Sequence, residues 1–114
     1  MDRSKFTNKQ LMEIFKLALH KWGQQFQLNM VAEECCELAK TVLKYNRKQN
    51  GTSKTDIIRE MADVYIMLGQ LETIIGLDIP DNINAEINQE FDRKIERLIE
   101  MLKVDEGGRH SSHG

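Results

Sequence analysis

Two short acidic clusters carry the residues best suited to chemistry: Glu33, Glu34 and Glu37 in one, Glu60 and Asp63 in the other. Helical residues three or four apart share a face. Glu34 and Glu37 are therefore neighbours, as are Glu33 and Glu37, and Glu60 and Asp63 repeat the spacing on a second helix. Like charges one turn apart repel by a few tenths of a kcal/mol even in water, roughly. Burying a carboxylate costs far more unless a cation or hydrogen bonds compensate. Both clusters sit among apolar neighbours, with Val31, Cys35 and Leu38 beside the first and Ile57, Met61, Val64 and Ile66 beside the second. The second helix is apolar on nearly every side, so Glu60 and Asp63 are expected to point inward. Hard divalent cations take oxygen ligands, and Mg²⁺ suits a few carboxylates together with water and phosphate. Glu34, Glu37, Glu60 and Asp63, two from each helix, form the expected ligand set. The plain alternative is that all are surface acids balanced by Lys40, Lys44 and Arg59. Two clusters on two apolar helices favour the metal.

Glu33-Glu34-x-x-Glu37, followed by Glu60-x-x-Asp63, resembles the signature of the MazG-like, all-α nucleoside triphosphate pyrophosphohydrolases. The resemblance runs from Trp22-Gly23 and Gln27 to Lys94-Ile95-Glu96-Arg97-Leu98. Either half of the motif is weak alone; both in order on a chain of this size are fairly specific. The resemblance implies a four-helix MazG-like bundle that hydrolyses a nucleoside triphosphate to the monophosphate and pyrophosphate. It implies Mg²⁺, with Mn²⁺ as a substitute, and a dimer or tetramer. It also places Lys94 where relatives carry a base for phosphate.

The 114 residues suffice for one domain, expected over 1–106, with 107–114 as a disordered tail. A formal net charge of −2 and a pI near 5.9 show no basic footprint for a nucleic-acid polymer. Bound metal would reverse the local sign for a phosphate-bearing substrate. No stretch approaches the ~20 apolar residues of a membrane span, and the polar N-terminus is not a signal peptide. Adjacent Cys35 and Cys36 offer no disulfide framework and are expected as small buried thiols in a reducing cytoplasm. There is no glycine-rich phosphate loop, so a nucleotide would be held through metal.

The elements that must position these carboxylates are all helical. Thr7-Asn8-Lys9-Gln10 has the form of a capping box, starting a first helix at Asn8 that Gly23 stops. Its apolar face is Leu11, Ile14, Phe15, Leu17, Ala18 and Trp22. Trp22 reads first as a packing residue and second as an aromatic wall for a nucleobase. A second helix is expected from Gln25 to Arg47, with Leu28, Val31, Ala32, Cys35, Leu38, Ala39, Val42 and Leu43 as its apolar arc and the glutamates along the border. Lys40 reads first as an ion-pair partner of Glu37 and second as a phosphate contact. Polar residues from Asn46 to Thr55 form a loop. Ser53 and Asp56 then start a third helix, Lys54 to Ile75, whose nearly all-round apolar surface calls for burial in a bundle or self-association. Pro80-Asp81 opens a fourth helix with a seam of Ile83, Ile87, Phe91, Ile95, Leu98 and Leu102.

In the implied reaction the metal neutralises phosphate charge and activates water. Glu33 is the first candidate for the general base, and Glu37 serves as base, ligand or both. The alternative is a non-catalytic helical interaction module whose acidic cluster binds metal or a basic partner. A di-iron carboxylate bundle would need Glu-x-x-His pairs, and the chain has none.

Overall fold

The computed structural model describes residues 4–48, 51–77 and 83–106. They form four helices: α1 (Asn8–Trp22), α2 (Gln24–Asn46), α3 (Lys54–Gly76) and α4 (Ile83–Glu106). No strand occurs among the described residues, so the all-α expectation holds. No described helix is long and apolar enough to cross a membrane. The chain divides into two compact units, Met1–Asp78 and Ile79–Gly114. The expected tail at 107–114 and the Pro80-Asp81 start of the fourth helix lie outside the described residues.

Local chemistry sets the helix ends. Thr7 caps α1, its hydroxyl accepting from the Gln10 N–H at 3.1 Å while the Gln10 side chain accepts from the Thr7 N–H at 2.8 Å. Gly23 ends α1 and precedes α2 at φ +88°, a conformation that disfavours any other residue. Ser53 and Asp56 make a second reciprocal cap at the start of α3. The end of α2 is less favourable, because Lys48, rather than a glycine, holds the left-handed φ of +57°.

In the first unit α2 and α3 form the main contact, and α1 lies against both, more extensively against α3. The short link between Asn46 and Lys54 makes α2 and α3 an antiparallel hairpin. On α2 the buried and half-buried positions are Gln27, Met30, Val31, Glu34, Leu38 and Thr41; on α3 they include Ile57, Glu60, Val64, Met67, Leu71 and Ile74. Both sets recur at three- and four-residue steps, the spacing of one packed helical stripe. Ile74, 5% exposed, is the only buried apolar residue among the described residues.

The packed stripe of α2 differs from the expected arc. Leu28, Ala32, Cys35, Ala39 and Val42 are exposed, and Glu34 lies on the packed side rather than at its border. The helix is turned by one residue step, about 100°, relative to the sequence reading. Both cysteines are consequently exposed, correcting their expected burial. On α1, Leu11, Phe15, Ala18 and Leu19 are half-buried, whereas Leu17 is 68% exposed. The α1–α3 crossing is tight at Gly69, where an added Cβ would lie 2.9 Å from Phe15 Cζ and closer still to its Cε2. Two buried glutamines, Gln27 and Gln70, belong to the same unit, and Gln70 Oε1 has no hydrogen-bond partner among the described residues.

In the second unit α4 is a 24-residue amphipathic helix. Ile87, Phe91, Ile95, Leu98 and Leu102 of the expected seam are all 40–61% exposed, and Arg93 pairs with Glu90 at 2.8 Å.

Candidate metal centre

The α2–α3 seam carries carboxylates in positions normally held by apolar side chains. Glu34 from α2 meets Glu60 and Asp63 from α3, one carboxylate oxygen of each lying within 4.8 Å of the others. Glu34 and Glu60 belong to the packed stripes, which explains why they converge: the hairpin contact presses them toward each other. Asp63 is one turn along α3 from Glu60, on the solvent side of the seam. Glu34 and Glu60 are half-buried and Asp63 is exposed, so the group opens at the surface. The expectation that Glu60 and Asp63 both point into the interior is thereby corrected for Asp63, which is exposed, whereas Glu60 is half-buried in the seam. The seam and the α1 contact shield parts of α3, and Ile58, Met61, Tyr65, Ile66, Leu68 and Ile75 remain exposed.

Electrostatics within the group is unfavourable without a cation. The Glu34 carboxyl is held above its ordinary value of 4.5, first by desolvation, then by the charges of Asp63 and Glu60, and after them Glu37 and Glu33. Among the described residues no lysine or arginine forms an ion pair with Glu34, Glu60 or Asp63. Arg59 is four residues before Asp63 on the same helix, yet its guanidinium lies 3.8 Å from Asp56, which also holds the cap of α3.

The other expected site residues are placed differently. Glu37 is outside the three-carboxylate group and pairs with Lys40 Nζ at 3.5 Å. This is the plainer of the two readings of Lys40. Glu33 is exposed on α2 and contributes to the group through its charge on Glu34. Trp22 ends α1, 52% exposed, with its ring centroid 6.4 Å from that of Phe26 and Lys21 Nζ 5.4 Å over its face. It therefore packs on Phe26. Lys94 is an exposed residue of α4 in the second unit. Sequence reasoning did not single out Gln70. Its one visible signal was a polar residue inside the apolar run from Val64 to Leu71.

The donor set fits a hard divalent cation. Three carboxylates on two rigid helices supply oxygen ligands only, the preference of Mg²⁺. Octahedral Mg²⁺ at about 2.1 Å from each oxygen needs ligand oxygens roughly 3 to 4 Å apart. A group already within 4.8 Å reaches that by small side-chain rotations. Comparison with protein-family models, with curated proteins and with solved structures finds no match for this chain.

Proposed function

We propose that the chain is a Mg²⁺-dependent nucleoside triphosphate pyrophosphohydrolase with a MazG-like helical fold, converting a (d)NTP to the (d)NMP and pyrophosphate. One observation carries the reading: Glu34, Glu60 and Asp63 converge from two helices within 4.8 Å, and among the described residues no lysine or arginine pairs with them. Three like charges at that distance are disfavoured unless a cation lies among them. The order and spacing of the two acidic motifs support the same conclusion.

Glu34, Glu60 and Asp63 would hold the ion, and Mn²⁺ would substitute for Mg²⁺. When bound, the metal supplies neutralisation of phosphate charge and a water of lowered pKa. The chain's own groups do the remaining work. Glu33 would take up the water's proton, with Glu37, one turn from Glu34, as the second candidate base or, after leaving Lys40, a further ligand. Lys40, freed from Glu37, contacts a phosphate, and Trp22 offers its exposed face to the base. Opening of the carboxylate group to solvent suits a substrate as large as a nucleotide. Self-association into a dimer or tetramer belongs to this reading, because many large apolar side chains remain exposed. A cytoplasmic location completes it.

The experiment is pyrophosphate release from a panel of NTPs and dNTPs, in Mg²⁺ and in EDTA. Release that requires metal, is supported by Mn²⁺ and disappears in Asp63→Asn and Glu37→Gln with helical circular dichroism intact is the expected result. Metal-independent release, or undiminished release by Asp63→Asn, would refute it. No release with any nucleotide, combined with saturable Mg²⁺ binding, would instead favour the non-catalytic interaction module.

A further inference from the structure

Besides its carboxylates, the α2–α3 seam holds a second polar level. Gln27 on α2 and Gln70 on α3 are 2% and 8% exposed, the two buried polar residues among those described. Gln27 stands seven residues before Glu34, and Gln70 stands seven residues after Asp63. Seven residues are just under two turns, which return a side chain to within about 20° of the same face, about 10 Å along the helix. Backward along α2 and forward along α3 are one direction in an antiparallel hairpin. The register that sets Glu34 against Asp63 therefore sets Gln27 level with Gln70. At that level Gln70 Oε1 has no hydrogen-bond partner among the described residues. The nearby Thr73 hydroxyl does not supply one, because it donates to the Gly69 carbonyl at 3.0 Å. A buried acceptor without a donor destabilises the fold, and an apolar side chain in its place would not.

We propose that Gln27 and Gln70 are positioning residues, whose amides pair across the seam and hold the one α2–α3 register in which Glu34, Glu60 and Asp63 share a cation. The proposal rests on the metal centre of the reading above and not on the reaction. Apolar contacts alone leave the register open. The packed stripes repeat every three or four residues, so a slide of one turn, about 5.4 Å, again sets apolar rows against each other. The seven residues between Asn46 and Lys54 are long enough to follow such a slide. The carboxylates are less tolerant. In one direction the slide draws Glu34 away from Asp63 and in the other away from Glu60, opening a group now within 4.8 Å. The glutamines oppose both movements. A slide sets Gln27 against Met67 or Ile74, apolar members of the α3 stripe, and leaves its amide without a partner. In the native register each amide meets the other, and an amide's two donors are enough to satisfy Gln70 Oε1. A buried polar residue fixes register in a helical seam at a cost in stability. The two glutamines are such a device, set two turns from the carboxylates that need it.

The experiment replaces each glutamine by methionine, which keeps the length without the amide. It follows urea unfolding in EDTA and Mg²⁺ affinity by calorimetry, both on the full chain. Gln27→Met and Gln70→Met should each lower the urea midpoint, because each leaves one amide unpaired. The double variant should recover the wild-type midpoint or exceed it, the coupling expected of a pair. It should nevertheless bind Mg²⁺ at least about tenfold more weakly, the scale on which supporting residues act on metal affinity. Loss of stability alone does not produce that combination, so the recovered midpoint separates positioning from a merely structural role. Met67→Leu, an apolar change in the same seam, should leave the affinity unchanged. Independent, additive losses in the single and double variants would overturn the pairing. A double variant with wild-type Mg²⁺ affinity, or an equal weakening in Met67→Leu, would overturn the positioning role and leave the metal centre intact. A wild type that binds no Mg²⁺ would refute the metal centre itself, and the positioning role with it.

Discussion

Replacing Glu34 by glutamine removes the charge on which the other two carboxylates press, and the size and sign of the effect follow from the geometry. Two unit charges 4.8 Å apart interact with about 0.9 kcal/mol at the dielectric of bulk water and about 3.5 kcal/mol at an effective value of 20. Glu34 and Glu60 are half-buried but Asp63 is exposed, so the lower figure applies more nearly. Relief of the two contacts amounts to about 1–2 kcal/mol. In EDTA at pH 7.5, Glu34→Gln is therefore expected to be more stable than the wild type, by roughly 1 M in its urea midpoint for a domain of this size. The sign of the pH dependence is set by the raised carboxyl. A folded value above the unfolded one means that ionisation destabilises the fold, so the penalty is complete above the folded value and absent below the unfolded value of 4.5. The advantage of the variant should shrink as pH falls through the raised value and vanish near pH 4. Added Mg²⁺ should reverse the order at pH 7.5. Binding at ten times the dissociation constant stabilises the wild type by about 1.4 kcal/mol, and a variant lacking one ligand gains less. A variant less stable than wild type in EDTA would show that the Glu34 carboxylate is already compensated. An Mg²⁺ response equal in both proteins would show that the ion does not bind there. Either result refutes the reasoning.

Other parts of the fold give sharper mechanical tests. Gly69→Ala places a Cβ against the Phe15 ring; overpacking should outweigh the gain of about 1 kcal/mol in helix propensity and lower stability by roughly 1–2 kcal/mol, with Phe15→Leu restoring it in the double variant. Lys48→Gly relieves the left-handed backbone at the end of α2 and should raise the thermal midpoint by the equivalent of about 1 kcal/mol. A fall would show that the lysine side chain holds the turn. Ser53→Ala removes the cap of α3 and should cost about 1 kcal/mol at neutral pH. The Asp56 carboxyl is lowered, first by the backbone hydrogen bond at Ser53, then by the Ser53 hydroxyl and Arg59, while desolvation opposes. Its contribution is present above pH 3.8 and lost as pH falls through the lowered value. Acid titration of stability should show that loss in wild type, and Ser53→Ala, which removes the hydroxyl's bond, should show a smaller one.

Helix existence and helix ends were decided by the sequence alone, because their causes are local. Thr7 with Gln10, Ser53 with Asp56, and Gly23 each act within one turn of the chain, and the helices start and stop where those residues require. The proximity of Glu60 and Asp63 was equally legible, since three-residue spacing puts them on one face whatever that face meets. Tertiary structure decided which face that was. The packed and exposed stripes of α2 and α3 are one residue apart, and both carry enough apolar side chains to serve as a seam, so periodicity cannot choose between them. The choice was made by antiparallel contact. It turned Glu34 and Glu60 toward each other, left Glu37 outside with Lys40, and brought Cys35 to the surface. A rotation of about 100° separates the expected arc from the observed one. It changes no local hydrogen bond, so only the contact between the two helices could set it.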